Sequence, residues 1–251
     1  MRGRTWRASL AGAALLVALT ALSAPVATAG APKPPSWALH GPYSPHIDPA
    51  NFVGIVDNPY FPLSPGTRFQ YVGHKGRTRQ IDNMVVTHRT KRVLGVACAV
   101  VRDTVSQHGK PIERTFDWYA QDKQGNVWYM GERSLEVKNG RFVLAGDSWK
   151  SGVNGAKPGI IMEGHPRTGD VYRQEYYKPG KALDQARVLG RNATVKVPYG
   201  TFRHALATIE WSPSEPQYEK KDYARGVGEI SERVTQGGNE GFKLVSVKRG
   251  A

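Results

Sequence analysis

The chain has 251 residues, which is enough for one domain or at most two small ones. It carries 35 lysines and arginines against 21 acids, a formal net charge of +14, and a single cysteine. One cysteine excludes an internal disulfide and any metal site built from cysteine pairs. The basic balance favours an anionic partner such as a cell-wall polymer, although a solvated surface of scattered charges explains it as well. We expect no nucleic-acid partner.

Residues 1–29 have the order of a secretory signal peptide. Arg2, Arg4 and Arg7 form a basic front, the apolar run Leu10–Leu22 follows, and Ala27–Ala29 is an A-x-A cleavage triplet. The apolar run has 13 residues, fewer than the roughly 20 that span a bilayer, so we predict no transmembrane segment. The mature chain then begins at residue 30 with a net charge of +11, because the three arginines leave with the signal. We predict a secreted protein, extracellular or loosely associated with the cell envelope.

Residues 30–52 are predicted to be an extended leader, because six of the 17 prolines fall between residues 30 and 50. Residues 53–251 are predicted to be one antiparallel β domain. From Thr67 onward the chain consists of short β-favouring runs separated by turn signals.

Two turn signals determine the register of the central strands. Asn139-Gly140 is typical of a two-residue type I′ hairpin, which pairs the flanking residues directly. Asp122–Gly125 is typical of a type I turn with a glycine bulge, which places Trp118 beside Met130. One face of this hairpin is then apolar: Phe116, Trp118, Ala120, Trp128 and Met130.

His108-Gly109 is a weaker turn signal. A tight turn there places Val101 opposite Phe116, and Asp117 next to Val100 and on the side of Cys98. Both faces of these strands carry apolar residues, so both need cover. We therefore predict an all-β, mainly antiparallel fold, with a strongly curved sheet or half-barrel and at most one short helix.

The second half of the chain contains six further strand candidates between Asp170 and Val247. Lys181–Leu189 is the one stretch of good helix formers, with Gly190 as a stop signal. Ser148–Gly164 is rich in glycine and has no periodicity, so we predict a long loop that covers or lines something.

No catalytic motif with a firm mechanism is present in the chain. His40, His46 and Asp48 are close in sequence, but nothing in the proline-rich leader holds them in a fixed geometry. We therefore predict no metal site and no cofactor, and the catalytic residues, if the protein has an activity, are not identifiable.

The hairpin 116–132 is the strongest candidate for a ligand site. Strand alternation projects four polar or aromatic side chains on one face, with Trp128 on the strand behind them: Asp117, Tyr119, Gln121 and Tyr129. Such a cluster suits a sugar ring or a lipid head group, whereas cross-strand packing of aromatics explains it without a ligand. The leading hypothesis is a non-enzymatic binding or envelope-associated domain for an apolar or glycan ligand. The alternative is a secreted hydrolase, because burial would keep an acid such as Asp117 protonated for general acid catalysis.

Two pairs of motifs carry a resemblance to known families. Val197–Phe202 with Tyr223–Gly228 resembles exported bacterial proteins of the TapB-like type. Asp57–Gly66 with Asp117–Asp122 is similar to a group of uncharacterised secreted or lipid-anchored actinobacterial proteins. The resemblance implies a curved antiparallel sheet like that of periplasmic lipid carriers, and it supplies no catalytic residues. Arg225 replaces the expected proline, and the lipid-anchor cysteine of some relatives is missing, which implies release rather than tethering.

Overall fold

The computed structural model describes residues 6–8, 12–14 and 32–250. Most of the predicted signal peptide and its cleavage triplet lie outside the described residues. The described part of the predicted signal peptide consists of two short strands, β1 (Trp6–Ala8) and β2 (Gly12–Ala14), which form a separate antiparallel pair.

All other strands belong to one antiparallel sheet, which confirms the predicted fold class. In chain order they are β3 (Phe52–Val53), β4 (Arg68–Lys75), β5 (Thr78–Val93), β6 (Val96–Gln107), β7 (Lys110–Asp122), β8 (Val127–Lys138), β9 (Arg141–Leu144), β10 (Trp149–Lys150), β11 (Lys157–Met162), β12 (Val171–Arg173), β13 (Glu175–Tyr176), β14 (Gln185–Val197), β15 (Gly200–Ser212), β16 (Glu215–Ala224), β17 (Gly228–Gln236) and β18 (Glu240–Lys248). Within residues 32–250 the one helical segment is a 3-10 turn at Pro49–Asn51.

Both strong turn signals are confirmed. Asn139 and Gly140 have φ angles of 52° and 75°, as a type I′ turn requires, and Lys138 pairs with Arg141. The amide of Asp122 donates to the carbonyl of Asn126 at 2.9 Å. One detail of the second register is wrong, because a bulge in β8 places Gly131 rather than Met130 opposite Trp118.

The register predicted from His108-Gly109 is wrong by one residue. The turn itself forms, with positive φ at both positions. However, Ser106 pairs with Pro111 while Val105 pairs with Glu113, so Ile112 is left as a bulge. Pro111 has no amide hydrogen to donate to the ladder, which makes this position a natural place for a bulge. As a result Val101, not Val100, lies opposite Asp117.

Two other expectations are also wrong. Lys181–Leu189 is not a helix, because β14 begins at Gln185 and its pairing with β15 buries Ala186 and Val188 with the two-residue period of a strand. Ser148–Gly164 is not a structureless loop, because β10 and β11 lie within it and both pair with β8. In both segments the gain from sheet pairing overrides the local propensity.

The sheet curves until its two ends nearly meet. The strand order is β12-β14-β15-β16-β17-β18-β4-β5-β6-β7-β8-β11-β13. The end strands β12 and β13 are separated in sequence only by Gln174, so one short stretch of chain pairs with β14 on one side and with β11 on the other. The result is a nearly closed, barrel-like sheet.

Apolar side chains are buried on both sides of the wall, as the sequence predicts. The larger cluster fills the interior and includes Tyr119, Tyr129 and Leu206. A second cluster, around Cys98 and Trp118, lies on the outer face. Ile47 and Phe52, at the end of the leader, pack against the outer cluster. Burial in this cluster raises the pKa of the Cys98 thiol to about 12, so Cys98 acts as a small apolar residue.

Candidate functional site

Three of the predicted site residues meet inside the sheet. Asp117, Tyr119 and Tyr129 are 2%, 0% and 0% exposed, and the two tyrosine rings stack with their centroids 4.9 Å apart. The Tyr129 hydroxyl lies 2.9 Å from Asp117 Oδ1 and 3.0 Å from Glu132 Oε2, while the hydroxyl of Thr115 donates to Asp117 Oδ2 at 2.7 Å. Burial, and then the charges of Asp117 and Glu132, raise the pKa of Tyr129 well above its ordinary value.

Gln121 lies apart from these three, at one end of the sheet. Its Oε1 accepts hydrogen bonds from the backbone amides of Asp57 and Asn58 at 2.9 and 2.8 Å, and its Nε2 donates to Asp57 Oδ1 at 2.7 Å. Trp128 lies on the outer face, where its indole nitrogen donates to Asp122 Oδ2 at 2.8 Å and its ring meets the edge of Phe52. Both side chains therefore hold elements of the fold together.

Three of the four stretches that carry the family resemblance, 57–66, 117–122 and 223–228, meet at this same end. Asn58 Nδ2 donates to the carbonyls of Gly125 and Glu163 at 2.8 and 3.0 Å, and the amide of Gly226 donates to the Pro59 carbonyl at 2.7 Å. The Phe61 ring contacts the Tyr119 ring edge-on, with the two ring centroids 5.3 Å apart. These motif residues hold the loop 57–63 across the end of the sheet. Their contacts are explained by this structural role without any catalytic function.

A cluster of buried charges inside the sheet was not identified from the sequence. Lys221 is 0% exposed, and its Nζ lies 2.8 Å from Glu210 Oε2 and 3.6 Å from Glu232 Oε2. Burial alone would lower the pKa of Lys221, but the charges of Glu210 and Glu232 raise it well above its ordinary value. Period-two alternation along 218–224 places Lys221 on the same face as the core residue Tyr223, which is the one sequence signal for this position.

Further carboxyl groups share this interior. Burial is the largest cause that raises the pKa of Asp82, Glu229 and Glu232 well above the ordinary values. For Asp82 the next cause is the adjacent carboxyl of Asp103. Two neighbouring carboxyl groups do not both ionise readily, so the Asp103 carboxyl adds to the effect of burial in raising the pKa of Asp82.

A small cavity lies beside Glu229 at the end closed by loop 57–63. Its volume is about 20 Å³, and Phe61, Phe69 and Tyr71 are among the residues that line it. That volume accommodates about one water molecule, so this cavity does not admit an acyl chain or a sugar.

A larger opening lies outside the wall, between the leader and two turns of the sheet. We call it the leader groove. It has a volume of about 420 Å³ and is lined by Ser44, Pro45, Ile47, Leu94, Gly152, Gly155, Ala156, Lys157 and Pro158. Sites for small molecules typically measure about 300–1,000 Å³, so the leader groove is large enough for one.

The leader wall of this groove is anchored by long side chains of the sheet. Lys157 Nζ donates to the Tyr43 carbonyl, and Arg173 donates to the Leu39 carbonyl at 3.1 Å. The Arg173 guanidinium also lies 5.6 Å from the centre of the Tyr43 ring. Burial raises the pKa of Tyr43 to about 12, partly offset by the positive charge of Arg173. The groove is therefore a defined feature of the fold rather than a gap beside a free segment.

Leu94 projects into the leader groove from the turn between β5 and β6. Leu94 is 43% exposed, and its backbone φ angle of 49° lies in the left-handed region. Gly152 provides the space beside it, because a Cβ on Gly152 would lie 2.5 Å from Leu94 Cδ2.

The described residues contain neither a recognisable metal site nor a membrane-spanning helix. Among the described residues, no group of three or more His, Cys, Asp or Glu side chains is arranged to hold a metal ion. In the leader, Asp48 instead accepts a hydrogen bond from the Ala50 amide at 2.9 Å. The described part of the chain has no helix long and apolar enough to cross a membrane.

Comparisons with known proteins give one structural likeness. The chain matches no family model and no curated protein. It is similar to the crystal structure of a presumed lipoprotein from Parabacteroides distasonis, with 11% sequence identity and a TM-score of 0.42, over 75% of this chain and 98% of that one. At this level of similarity no property of that protein is transferred here, and the resemblance to TapB-like and actinobacterial secreted proteins stays a prediction.

Proposed function

We propose that this chain is an exported, non-enzymatic binding protein that holds an apolar ligand in the leader groove. The observation that carries the proposal is Leu94, a half-exposed leucine with a left-handed backbone that lines this groove. A left-handed conformation costs a residue other than glycine about 1–2 kcal/mol. The equivalent turn at Asn139-Gly140 uses asparagine, which tolerates this conformation well.

The lining of the groove favours an acyl chain over a glycan. Pro45, Ile47 and Leu94 contribute apolar surface, and the described residues of the lining include no aromatic ring on which a sugar would stack. Lys157 adds one positive charge at the groove. The hydrolase alternative is less favoured, because Asp117 is 2% exposed and already accepts hydrogen bonds from two hydroxyl groups.

A single substitution at Leu94 distinguishes an effect on ligand binding from an effect on the stability of the fold. Leu94→Asn removes the apolar contact and also relieves the backbone strain, so we expect weaker binding with equal or greater stability. Dodecanoic acid, titrated calorimetrically into delipidated protein, is the probe. Loss of one buried leucine contact, about 1.5–3 kcal/mol, predicts a roughly 10- to 150-fold weaker affinity.

Leu144→Asn is the matched control, because Leu144 is 62% exposed on β9 and is not part of the lining. It should leave the affinity unchanged. Equal affinities for the unaltered chain and Leu94→Asn, or no binding by either together with no lipid in extracts of the purified protein, would contradict the proposal.

Export is the second part of the proposal and rests on residues 1–29. Cleavage after Ala29 predicts that protein recovered from the culture medium begins at Gly30. Sequencing of its first residues by mass spectrometry checks this, and a chain that retains Met1 in the medium would argue against it.

A further inference from the structure

The hairpin formed by the outer parts of β14 and β15 extends beyond the sheet on both edges. β12 pairs only with residues 185–187 of β14, and β16 pairs only with residues 206–212 of β15. Residues 189–205 therefore form a two-stranded ribbon. Its inner side packs on the core through Val195, Val197 and Phe202, and the amide of Tyr199 donates to the Leu244 carbonyl at 3.0 Å.

The outer side of this ribbon is basic and contains no acid. Between residues 186 and 209 the chain has three arginines and one lysine, and no aspartate or glutamate. Arg191, Lys196 and Arg203 are exposed, and we call these three residues the basic ribbon. Among the described residues, none of the three has a carboxylate within 4 Å. Their charges are therefore not neutralised within the described part of the chain.

We propose that the basic ribbon binds an anionic polymer with repeated phosphate groups. The side chains exposed beside the cations include the short polar residues Asn192, Thr194 and Thr201, while two exposed large apolar side chains, Leu189 and Tyr199, lie at the base and at the turn of the ribbon. Hydroxyl and amide groups hydrogen-bond to phosphate oxygens. Binding into a lipid surface instead needs a continuous row of large apolar residues, whereas Tyr199 stacks on Phe202, which packs against the core. An extended, open face also suits a chain that contacts several cations at once. This inference is independent of the leader groove.

An alternative explanation of the cations concerns the edge of β14. From Leu189 onward this edge has no neighbouring strand apart from β15, and charged side chains on an edge strand prevent pairing between copies of a protein. The experiment therefore needs both a binding and an association measurement.

The test compares two triple variants with the same net charge. Arg191→Gln, Lys196→Gln and Arg203→Gln together remove the basic ribbon. Lys110→Gln, Arg133→Gln and Arg141→Gln together remove three exposed cations elsewhere and serve as the control. Binding of long-chain inorganic polyphosphate is measured by fluorescence anisotropy at several salt concentrations.

We expect the basic-ribbon variant to bind at least about 10-fold more weakly at low salt, and the control to bind nearly as the unaltered chain does. The slope of log K against log salt should become shallower by about 2 for the three lost contacts, at about 0.7 per contact for a flexible polyanion. Circular dichroism confirms that both variants are folded.

Three outcomes would overturn the proposal. Equal weakening of both variants would show that only net charge matters. Unchanged polyphosphate binding together with new oligomers of the basic-ribbon variant in light scattering would assign the cations to edge protection. Binding of the unaltered chain to phosphatidylglycerol vesicles but not to polyphosphate would identify a membrane surface instead.

Discussion

Gln121 illustrates how a single polar side chain organises this fold. It satisfies two backbone amides and one carboxylate of the segment 57–58, although more than 60 residues separate the partners in sequence. Asn58 continues the connection to the carbonyls of Gly125 and Glu163. The residues that look most like a binding site in the sequence therefore include one whose groups are already occupied by the protein itself.

At this residue we predict that Gln121→Ala lowers the free energy of unfolding by about 3 kcal/mol, since three hydrogen bonds contribute about 1 kcal/mol each. Urea denaturation measures the change. Gln70→Ala is the control, because Gln70 donates a single hydrogen bond, to Asn83, in a half-buried position. A loss for Gln121→Ala no greater than that of the control would mean that loop 57–63 is held by its apolar contacts alone.

At the scale of elements, the decisive feature is how the sheet closes. β11 pairs with β8 through residues 159–162 and with β13 through residues 157–158, so it joins the last long strand of the first half to the closing segment. The close approach requires a glycine. A Cβ on Gly159 would lie 2.3 Å from the backbone carbon of Gln174 and 2.4 Å from the carbonyl oxygen of Arg173.

We therefore predict that Gly159→Ala destabilises the protein by about 2–3 kcal/mol, the usual cost of overpacking against atoms that cannot move away. Hydrogen exchange should show the loss of protection first in residues 157–162 and 171–176, because these segments form the closure. Gly146→Ala provides the control, since a Cβ there meets no atom within 4 Å. Equal stability of the two variants would mean that β11 and β13 separate without cost.

At the scale of the whole molecule, the interior combines aromatic rings with several carboxyl groups and one buried lysine. Tyr71, Tyr119 and Tyr223 are fully buried beside Asp82, Glu229 and Lys221. Burying charges is costly unless they are paired or neutralised, and here one lysine faces several acids. Burial raises the pKa of Asp82 and Glu229, so these groups bind protons more readily in the folded chain than in the unfolded chain.

This arrangement predicts a stability that falls as the pH rises. Burial raises the pKa of Asp82 and Glu229 well above the ordinary values, and raises that of Asp184 to about 6. Between the ordinary carboxyl pKa and the raised value, the folded state binds more protons than the unfolded state, so the free energy of unfolding decreases with pH. We expect the protein to be more stable at pH 5 than at pH 8 in chemical denaturation.

Asp82→Asn should reduce this slope, because a neutral amide replaces the carboxyl that must hold a proton and still donates a hydrogen bond toward Asp103. Asp48→Asn, at an exposed position in the leader, serves as the control. A stability that is flat or rises between pH 5 and pH 8 in the unaltered chain would show that these carboxyl groups are better solvated than the structure indicates.

Local patterns predict part of the fold, for reasons visible at particular residues. Asn139-Gly140 is sufficient to define a hairpin, because two left-handed residues close a two-residue turn in one way. His108-Gly109 forms the same kind of turn, yet the bulge at Ile112 changes which residues face Asp117. The face shared by Asp117, Tyr119 and Tyr129 follows from strand alternation, whereas the partners of Lys221 depend on how β15, β16 and β17 pair.

The amino-acid sequence by itself determined the all-β class, the antiparallel hairpins and the burial of both faces of the central strands, because these follow from alternation and turn chemistry within a few residues. Only the tertiary structure decided that residues 171–176 close the sheet, that carboxyl groups gather around Lys221, and that Leu94 and the leader form a groove. Each of these depends on contacts between residues far apart in the chain. The stability of such contacts depends on both partners and their surroundings, so no short segment of the sequence predicts them.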